Sequence, residues 1–353
     1  MTRLKVATVG AGFFSRYHYD GWVRIADAEL VGLACARDRA RAEAVARQHN
    51  VGKVFQDVEE MLEATRPDIL DIITPPATHE RFVEAALARG IHVICQKPLA
   101  PDLAAARRIA ARAEAAAPRV VVHENWRFKP WFREIRRLLE AGEIGEVHGA
   151  AFRLRTGDGQ GPRAYLDRQP YFQEMPRFLI HETGIHLIDC FRFLFGEIAA
   201  VSARLRRLNP AIAGEDAGIV LIDFASGAAG ILDGNRLVDH EAENTRLTAG
   251  EMLVEGAHGQ IRLLGSGDIE IRKPGARFRR HAYTWENRGY AGDCVHALQR
   301  HVTAHLLHGA PLENTVADYL PNLHVEEACY RSHASGRRVE IGEIAAEEKN
   351  HAQ

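Results

Sequence analysis

The chain has 353 residues, of which 46% are hydrophobic and 26% charged, and its formal net charge is -2 at pH 7. This composition is that of an ordinary globular protein, and the length favours two domains over one. The near balance of charge predicts neither a nucleic-acid partner nor binding to an acidic membrane surface. No apolar run reaches the roughly 18 residues of a membrane span, and the amino end lacks a signal-peptide pattern. Five separated cysteines without a C-x-x-C pair favour reduced thiols, so we expect a cytoplasmic protein.

The first predicted strand runs directly into a glycine turn. The stretch Val6–Ser15 reads V-A-T-V-G-A-G-F-F-S. In this pattern Gly10 allows a tight strand-to-helix turn, and Gly12 lets a pyrophosphate approach the backbone. Ser15 is a small residue in the place of the usual third glycine. Because the N–H groups of the next helix face such an anion, we expect a nucleotide at this turn.

Strand and helix patterns alternate up to about residue 120, which predicts a parallel sheet covered by helices. The predicted strands after the first are Leu30–Cys35, Ile69–Thr74, Ile91–Cys95 and Val120–His123, and the predicted helices are Arg39–His49, Thr78–Arg89 and Leu103–Ala117. Thr78 is the expected N-cap of its helix. Ligands of open parallel sheets lie beyond the carboxyl ends of the strands, where the turns at Gly10, Thr74, Lys97 and His123 fall.

From about residue 124 the pattern changes to β-like runs joined by glycine turns, which predicts a mostly antiparallel sheet. These runs are 147–155, 201–208, 218–224, 230–236, 246–255, 260–264 and 269–272, and helices are predicted at 131–141, 179–195, 289–307 and 313–335. The expected fold class is α/β, with a Rossmann domain at 1–123 and a C-terminal α+β domain with an open sheet at 124–340. The second domain is expected to hold substrate and oligomer contacts, and its last helices can pack back on the first. A frayed polar tail is expected at 341–353.

Several short motifs together resemble the glucose–fructose oxidoreductase/inositol dehydrogenase/MocA (Gfo/Idh/MocA) family. They are the glycine turn, Thr74-Pro75-Pro76 with His79, Gln96-Lys97-Pro98, Asn125-x-Arg127-x-x-Pro130, Gly142-x-Ile144-Gly145, Gly184–Asp189 and the late Glu327–Gly336. They follow the family order and cover nearly the whole chain. The resemblance implies an NAD(P)-dependent oxidoreductase that acts on a hydroxyl or carbonyl of a sugar, polyol or sugar acid. It also implies a homodimer or homotetramer formed through the C-terminal sheet.

The resemblance implies roles for individual residues. Lys97 would polarise the reacting oxygen, His186 would be general base or acid, and Glu182 would orient His186 or the substrate, although Lys97 and His186 can exchange roles. On an α-helix Glu182 and His186 share a face. The expected cofactor-binding residues are Gly10, Gly12, Phe13, Phe14, Arg37, Thr74, Pro75, His79, Gln96, Lys97 and Asn125. The further substrate candidates are Arg127, Arg163, Tyr165, Arg177, His181 and Arg236, of which the arginines suit a carboxylate.

Two positions depart from the family pattern. Gln96 stands where the family has Glu before Lys97, and Glu182 stands where the family has Asp. Mg²⁺ held by Glu182 and substrate oxygens is one alternative, since hard cations prefer carboxylate and hydroxyl ligands. A zinc helix is not expected, because His181 and His186 would lie roughly 140° apart on an α-helix. The stretch Arg177–His186 resembles a subgroup that acts on sugar acids such as D-apionate.

The sequence leaves alternatives open for both the cofactor and the reaction. The second strand ends in Ala36-Arg37-Asp38, and the missing acid at Ala36 with the guanidinium of Arg37 suits the 2′-phosphate of NADP. The subgroup resemblance favours NAD, so both cofactors stay open. Besides a plain dehydrogenase, the sequence allows a Mg-assisted oxidoisomerase, a non-catalytic NAD(P)-binding regulator and a glycosidase that uses NAD transiently. The presence of both Lys97 and His186 argues against the regulator.

Overall fold

The structure is a computed structural model that describes residues 3–351, with the backbone alone for 348–351. Its contacts divide the chain into two compact units. One consists of Met1–Phe128 with Arg288–Pro321, and the other of Lys129–Asn287 with Asn322–Gln353. Within residues 3–351, none of the helices combines the length and the apolar character that crossing a bilayer requires.

The first unit contains a six-stranded parallel sheet. Its strands are β1 (Leu4–Val9), β2 (Ala28–Ala34), β3 (Val54–Phe55), β4 (Ile69–Ile72), β5 (His92–Gln96) and β6 (Val120–His123). They are arranged in the order β3-β2-β1-β4-β5-β6, so the winding direction reverses between β1 and β4. All residues of β4 and β6 are buried, as expected for a sheet covered on both faces. The carboxyl ends of β1 and β4 therefore border the crevice where such sheets bind nucleotides.

Three of the five helices that cover this sheet begin at aspartate caps. The five helices are α1 (Ser15–Trp22), α2 (Arg39–His49), α3 (Val58–Thr65), α4 (His79–Leu87) and α5 (Leu103–Ala115). Asp38, Asp57 and Asp102 each accept a hydrogen bond of 2.8–2.9 Å from the backbone N–H three residues later. Such caps satisfy N–H groups that have no partner inside the helix.

Thr78 occupies the N-cap position of α4, as predicted, but its side chain does not make a cap bond. The Thr78 hydroxyl donates to the carbonyl of Pro75 at 2.8 Å and makes no cap bond to the helix. A short 3₁₀ turn, Pro76–Thr78, precedes α4 because Pro76 fits the first position of a helical turn but has no N–H to donate. The helix therefore begins at His79, directly after Thr78, without a side-chain cap bond.

The second unit contains a nine-stranded sheet. Its elements up to residue 287 are α6 (Pro130–Glu140), β7 (Val147–Leu154), α7 (Ile185–Phe195), β8 (Ile198–Arg206), β9 (Ala217–Phe224), β10 (Ala229–Asn235), β11 (Gly250–Gly256), β12 (Gly259–Leu263), β13 (Ile269–Arg272) and β14 (Arg279–Arg280). Further along the chain come α8 (Cys294–His308), α9 (Val316–Ser335), β15 (Val339–Glu340) and α10 (Ile341–His351). Of these, α8 belongs to the first unit. The strand order is β14-β13-β12-β11-β7-β10-β9-β8-β15. Among the described strands of this second sheet, β10 and β7 pair in parallel and the remaining pairs are antiparallel.

The two faces of this sheet differ. On one face the ring of Phe224 from β9 contacts the rings of Phe191 and Phe195 from α7 at 6.2 and 5.5 Å between centroids. The opposite face carries Ile219 and Leu221, whose exposed fractions are 49% and 51%. Alternating burial along β9 produces this arrangement, because successive side chains of a strand point to opposite faces.

The expected fold class is confirmed, since a parallel Rossmann sheet is joined to a mostly antiparallel second sheet. The carboxyl end differs from its prediction. The tail that was expected to be frayed forms α10 as far as His351, with Ile344 buried. Its carboxylates also pair with arginines: Glu343 lies 2.8 Å from Arg337, and Glu347 contacts Arg331. Residues 352 and 353 lie outside the described part of the chain.

Candidate active site

The glycine turn after β1 has the shape that its sequence predicts. Gly10 has φ +115°, and a Cβ at this position would lie 2.6 Å from the carbonyl oxygen of Ile73. A Cβ on Gly12 would meet no atom within 4 Å, so this side of the backbone is open. The Ser15 hydroxyl donates to the Gly12 carbonyl at 2.8 Å, and the Tyr19 hydroxyl donates to the Gly10 carbonyl at 2.9 Å. These bonds hold the turn open at the start of α1.

Two observations indicate that the first unit can hold a dinucleotide. The open backbone at Gly12 leads into the N-terminus of α1, where N–H groups and the helix dipole favour a pyrophosphate. In addition, the side-chain oxygen of Asn125 is buried and has no hydrogen-bond partner among the described residues. Buried polar atoms are rarely left unpaired, so this oxygen points to a partner that the chain does not supply.

His79 ties together the turns after β4 and β5. Its ring is fully buried, with Nε2 at 2.7 Å from the Thr74 carbonyl and Nδ1 at 3.0 Å from the Leu99 carbonyl. Burial lowers the pKa of His79, and the carbonyls that face it raise the pKa only in part. Because both ring nitrogens face backbone, His79 holds the Thr74-Pro75 turn in place. Pro75 itself is exposed beside this turn.

A buried hydrogen-bonded chain leads to the backbone of Lys97. Asp71 Oδ2 lies 2.8 Å from His18 Nδ1, and His18 Nε2 lies 3.0 Å from Gln96 Nε2. The side-chain oxygen of Gln96 accepts the Lys97 N–H at 2.8 Å. Trp22 Nε1 also donates to Asp71 Oδ2 at 2.7 Å. Lys97 is half-buried at the end of β5, as its sequence position predicts.

The remaining cofactor candidates lie around the same sheet edge. Phe13 and Phe14 are half-buried, and the Phe14 ring lies 5.2 Å from that of Tyr290. Arg37 is exposed after β2, and its neighbour Asp38 uses one carboxylate oxygen to cap α2 at 2.9 Å. The turn after β2 therefore offers a guanidinium and a partly committed carboxylate to an adenosine ribose.

In the second unit, the segment before α7 is a π-helical turn rather than the predicted α-helix. Leu179–Gly184 has π geometry, and the Ile185 N–H donates to the Ile180 carbonyl, five residues back. The α-helical spacing that placed Glu182 beside His186, and His181 away from it, does not apply across this turn. His186 is the second residue of the regular helix α7 and is 6% exposed.

Glu215 fixes the start of the π turn. Its carboxylate accepts the N–H groups of Phe178 and Ile180 at 3.2 and 3.1 Å. It also accepts the Tyr330 hydroxyl at 2.6 Å. Burial raises the pKa of Tyr330, and the negative charge of Glu215 raises it further, so this hydroxyl remains a donor. Glu215 thereby orients the backbone that carries His181 and Glu182.

Arg236 binds two carboxylates in the second unit. Its guanidinium lies 3.0 Å from Asp158 Oδ2 and 3.4 Å from Glu182 Oε2, and it donates to Thr183 Oγ1 at 2.7 Å. The Arg236 side chain is 4% exposed, and its guanidinium carbon lies 5.1 Å from the centroid of the Tyr165 ring. The phenol of Tyr165 is 3.3 Å from Asp158. Arg236 and Tyr165, both substrate candidates, thus belong to one buried ionic cluster.

The charge of this cluster is set by its geometry. Burial raises the pKa of Asp158, but the nearby Arg236 and the hydrogen bond from Thr156 outweigh it and hold the pKa at about 2. Burial lowers the pKa of Arg236, while Asp158, Tyr165 and Glu182 raise it by more. Arg236 therefore remains a cation that faces Asp158 and Glu182.

All four arginines predicted to bind substrate have a carboxylate partner on this chain. The partners are Asp167 for Arg163, Glu327 for Arg177, Glu313 for Arg127, and Asp158 with Glu182 for Arg236. The substrate candidate His181 is also paired, with its Nδ1 2.7 Å from the buried Glu326. Arg163 is the most exposed of the four arginines, with a side-chain exposure of 75%.

The Glu182 carboxylate is engaged by neighbours. Its Oε2 accepts the Thr183 hydroxyl at 2.6 Å and faces Arg236. Within residues 3–351, no group of three or more His, Cys, Asp or Glu side chains is placed to hold a metal ion. A cation at Glu182 would therefore need most of its ligands from the substrate or from water.

Sequence reasoning missed several residues that support these sites. His18 and Asp71 are 53 positions apart, and Glu215 is 35 positions from Ile180, so only the folded chain brings them together. Asp158 has one local signal, because it stands between two glycines in Gly157-Asp158-Gly159. That signal indicates a turn and does not identify Arg236 as the partner.

Comparison with known proteins adds the family. Residues 4–124 match the family described as oxidoreductase family, NAD-binding Rossmann fold, and residues 132–262 match the GFO/IDH/MocA C-terminal domain. A D-apiose dehydrogenase from Paraburkholderia graminis is 34% identical over 98% of this chain and 92% of its own length. A D-apiose dehydrogenase from Rhizobium rhizogenes is 32% identical over 97% of this chain and 99% of its own length.

A solved structure agrees along the whole fold. The oxidoreductase from Agrobacterium radiobacter in complex with NAD+, L-tartaric acid and magnesium has a TM-score of 0.87 and 31% identity, and the match covers 97% of this chain and 100% of that one. The resemblance found in the sequence is thereby confirmed, together with an NAD-binding Rossmann domain. The chain is an oxidoreductase and belongs to the Gfo/Idh/MocA family.

Proposed function

We propose that this protein oxidises a hydroxyl group of a neutral sugar or polyol by hydride transfer to a bound nicotinamide dinucleotide. The observation that carries the proposal is the joint presence of the open glycine turn at Gly12, Lys97 at the end of β5 and His186 at the start of α7. These are the positions at which the family resemblance puts cofactor binding, oxygen polarisation and proton transfer.

Side chains of this protein can accept the proton that the substrate hydroxyl loses in this reaction. When bound, the dinucleotide accepts the hydride, and the substrate hydroxyl must lose its proton to a base. We assign that proton to the imidazole of His186 and the stabilisation of the developing oxyanion to the ammonium group of Lys97. Glu182, which is held by Thr183 and Arg236, is assigned to orienting His186 or the substrate.

The pairing of the arginines supports a neutral substrate over a sugar acid. A substrate carboxylate would be recognised best by an arginine in a bidentate contact. The four candidate arginines already face carboxylates of this chain. Two relatives aligned over nearly the whole chain are D-apiose dehydrogenases, so D-apiose is the first sugar to assay.

A second candidate function is a Mg-assisted reaction on a hydroxy acid, such as the oxidoisomerisation of D-apionate. It is supported by one observation, since the Agrobacterium radiobacter relative is in complex with NAD+, L-tartaric acid and magnesium. In this chain the metal would require Glu182 to exchange Arg236 for the cation and the substrate to supply further oxygens.

The test is the formation of NADH or NADPH by purified protein with D-apiose, other sugars, polyols and hydroxy acids, each with Mg²⁺ and with EDTA. The proposal predicts turnover of neutral sugars that EDTA does not change. Turnover restricted to hydroxy acids and abolished by EDTA would overturn it in favour of the metal-assisted reaction. Bound cofactor without turnover across the whole panel would favour a regulator.

We propose that the choice between NAD and NADP is made at Arg37. Ala36 supplies no carboxylate for the ribose hydroxyls, and Arg37 is exposed beside it. A guanidinium at this place suits a 2′-phosphate, while the free oxygen of the capping Asp38 suits a ribose hydroxyl. The relative in complex with NAD+ supports use of NAD, so we expect both cofactors to bind.

We also propose a homodimer or homotetramer formed through the outer face of the second sheet. Ile219, Leu221 and Ile231 are 49%, 51% and 41% exposed, and Leu221 stands directly opposite Ile231 in the β9–β10 register. Neighbouring exposed apolar side chains on one face are typical of a protein interface.

The five free cysteines support a reducing compartment, the cytoplasm.

A further inference from the structure

The feature that carries a further inference is the buried chain from Asp71 through His18 and Gln96 to Lys97. Asp71 and His18 are both 0% exposed. The three links measure 2.8 Å from Asp71 to His18, 3.0 Å from His18 to Gln96, and 2.8 Å from Gln96 to the Lys97 N–H. It lies at the carboxyl ends of β4 and β5, beside the glycine turn.

The donors and acceptors of this chain can be assigned from its two ends. The Lys97 N–H can only donate, so the oxygen of the Gln96 amide faces Lys97 and the NH₂ group faces His18. His18 Nε2 must then accept, which puts the single ring proton on Nδ1. That proton is donated to Asp71, whose carboxylate also accepts the Trp22 N–H.

The other ionisable groups around His18 fit this assignment. Asp71 Oδ2 lies against His18 Nδ1 and also accepts the Trp22 N–H, so a carboxylate at Asp71 is placed to accept the Nδ1 hydrogen bond. Burial raises the pKa values of Cys95 and Tyr19, which keeps both neutral. The ring of His123, at the end of β6, lies 4.1 Å from that of His18, and the two ring planes are tilted by 32°.

We propose that Asp71, His18 and Gln96 are positioning residues for Lys97. We further propose that, with glutamine at position 96, this series of hydrogen bonds requires a neutral His18. The inference rests on the role of Lys97 given under the proposed function. An ionised His18 would direct an Nε2–H at the NH₂ group of Gln96, so that two donors would face each other. The amide would have to turn, and the Lys97 N–H would lose its acceptor.

Glutamate at position 96 would reverse this requirement. A carboxylate can accept the Lys97 N–H, but its second oxygen needs a proton donor and would face the lone pair of a neutral His18. In Gln96→Glu the hydrogen bonds between His18 and the Lys97 N–H are therefore complete only when His18 is doubly protonated. The hydrogen-bonded chain of wild type thus requires a neutral His18, and that of the glutamate variant requires an ionised one.

The kinetic test compares kcat and KM of wild type, Gln96→Glu and Gln96→Met between about pH 5.5 and 8.5, the range over which imidazoles change charge. We expect the ratio of kcat for Gln96→Glu to that of wild type to fall by about tenfold as the pH rises. Gln96→Met has no hydrogen-bonding group facing His18, so it is expected to lower kcat without that glutamate-specific fall at high pH. A ratio for Gln96→Glu that stays constant with pH would contradict the proposal.

A spectroscopic test keeps the inference separate from the activity. Nitrogen-15 NMR of the histidine side chains, assigned with His18→Asn, reports the protonated ring nitrogen whether or not the substrate is known. We expect Nδ1–H alone for His18 in wild type at pH 7.5, and both N–H groups in Gln96→Glu at pH 6. A wild-type His18 protonated at Nε2 would overturn the inference while leaving the dehydrogenase proposal intact.

Discussion

Arg236 is the residue on which the charge balance of the second unit depends. It faces Asp158 and Glu182 from a position where its side chain is 4% exposed. A buried arginine that loses one of two carboxylates becomes an imperfectly compensated charge, and such losses are costly. The same pairing holds the Glu182 carboxylate in one orientation, as its proposed role requires.

The stability contributed by Asp158 should depend on pH. Its folded-state pKa of about 2 lies below the ordinary value of 3.8, so this stability is fully present above about pH 4 and is lost as the pH falls towards 2. The shift corresponds to about 2 kcal/mol. We therefore expect Asp158→Asn to lower the free energy of unfolding by about 2 kcal/mol at pH 7.

Urea unfolding of both proteins at several pH values measures this effect. The difference between wild type and Asp158→Asn should shrink as the pH falls below 4, because the carboxyl of the unfolded chain then takes up a proton while the folded one, with its pKa of about 2, still resists protonation. Asp167→Asn is the matched control, since Asp167 is 86% exposed and pairs only with the exposed Arg163. A difference that persists unchanged down to pH 3 would refute the ionic origin.

Arg37 allows a prediction about cofactor preference. Arg37→Ala should weaken NADP binding by about tenfold and change NAD binding by less than about twofold, because only NADP carries the phosphate that a guanidinium recognises. Isothermal titration with both cofactors gives the two affinities. Arg47→Ala, at the exposed far end of α2, serves as the control. Equal losses for NAD and NADP would mean that Arg37 does not contact the 2′ position.

At the scale of elements, the π turn Leu179–Gly184 determines where His181 and Glu182 point. Glu215 accepts two backbone N–H groups at its start and one hydroxyl from Tyr330. Because a side chain 35 positions away along the chain fixes the turn, its geometry depends on the packing of the whole second unit. Substitutions at Glu215 should therefore act on catalysis through the backbone.

Glu215→Ala tests this dependence. It removes three accepted hydrogen bonds, and we expect a loss of about 2–3 kcal/mol in the free energy of unfolding and a reduced kcat. Tyr330→Phe removes one of those bonds and should cost about 1 kcal/mol. Chemical denaturation and steady-state kinetics measure both. If Glu215→Ala left kcat and stability at wild-type values, the turn would not depend on this carboxylate.

Elements with strong local signals were predicted well from sequence. Helix α2 has the predicted bounds, because Asp38 caps it and Ala42 and Ala46 recur on its buried face. The short β3 and α3 were missed, although Asp57-x-x-Glu60 is a recognisable start signal for a helix. The π turn has no such signal, since its cause lies in Glu215 rather than in its own residues. The same holds for the chain from Asp71 to Lys97.

At the scale of the whole molecule, the outer face of the second sheet predicts association. Leu221→Glu would put a charge among Ile219, Ile231 and their symmetry-related copies, at a cost of several kcal/mol per interface. We expect wild type to sediment as a dimer or tetramer and this variant to sediment as a monomer. Val23→Glu is the control, because Val23 is equally exposed, at 49%, but lies in the first unit.

Analytical ultracentrifugation at micromolar protein distinguishes the outcomes. If Leu221→Glu sedimented like wild type, the interface would have to lie elsewhere. If wild type were already a monomer, the apolar face would have another occupant. In either case the dehydrogenase proposal would stand, because it depends on residues of the two units rather than on the sheet face.

The central claim is that hydride transfer requires both Lys97 and His186. The most direct measurement is the rate of NADH formation in a single turnover for wild type, Lys97→Met and His186→Asn, with NADH affinity followed by fluorescence. The claim predicts rates lower by about 10²–10⁴ in both variants and NADH affinities within about threefold of wild type. A wild-type rate in either variant would contradict it.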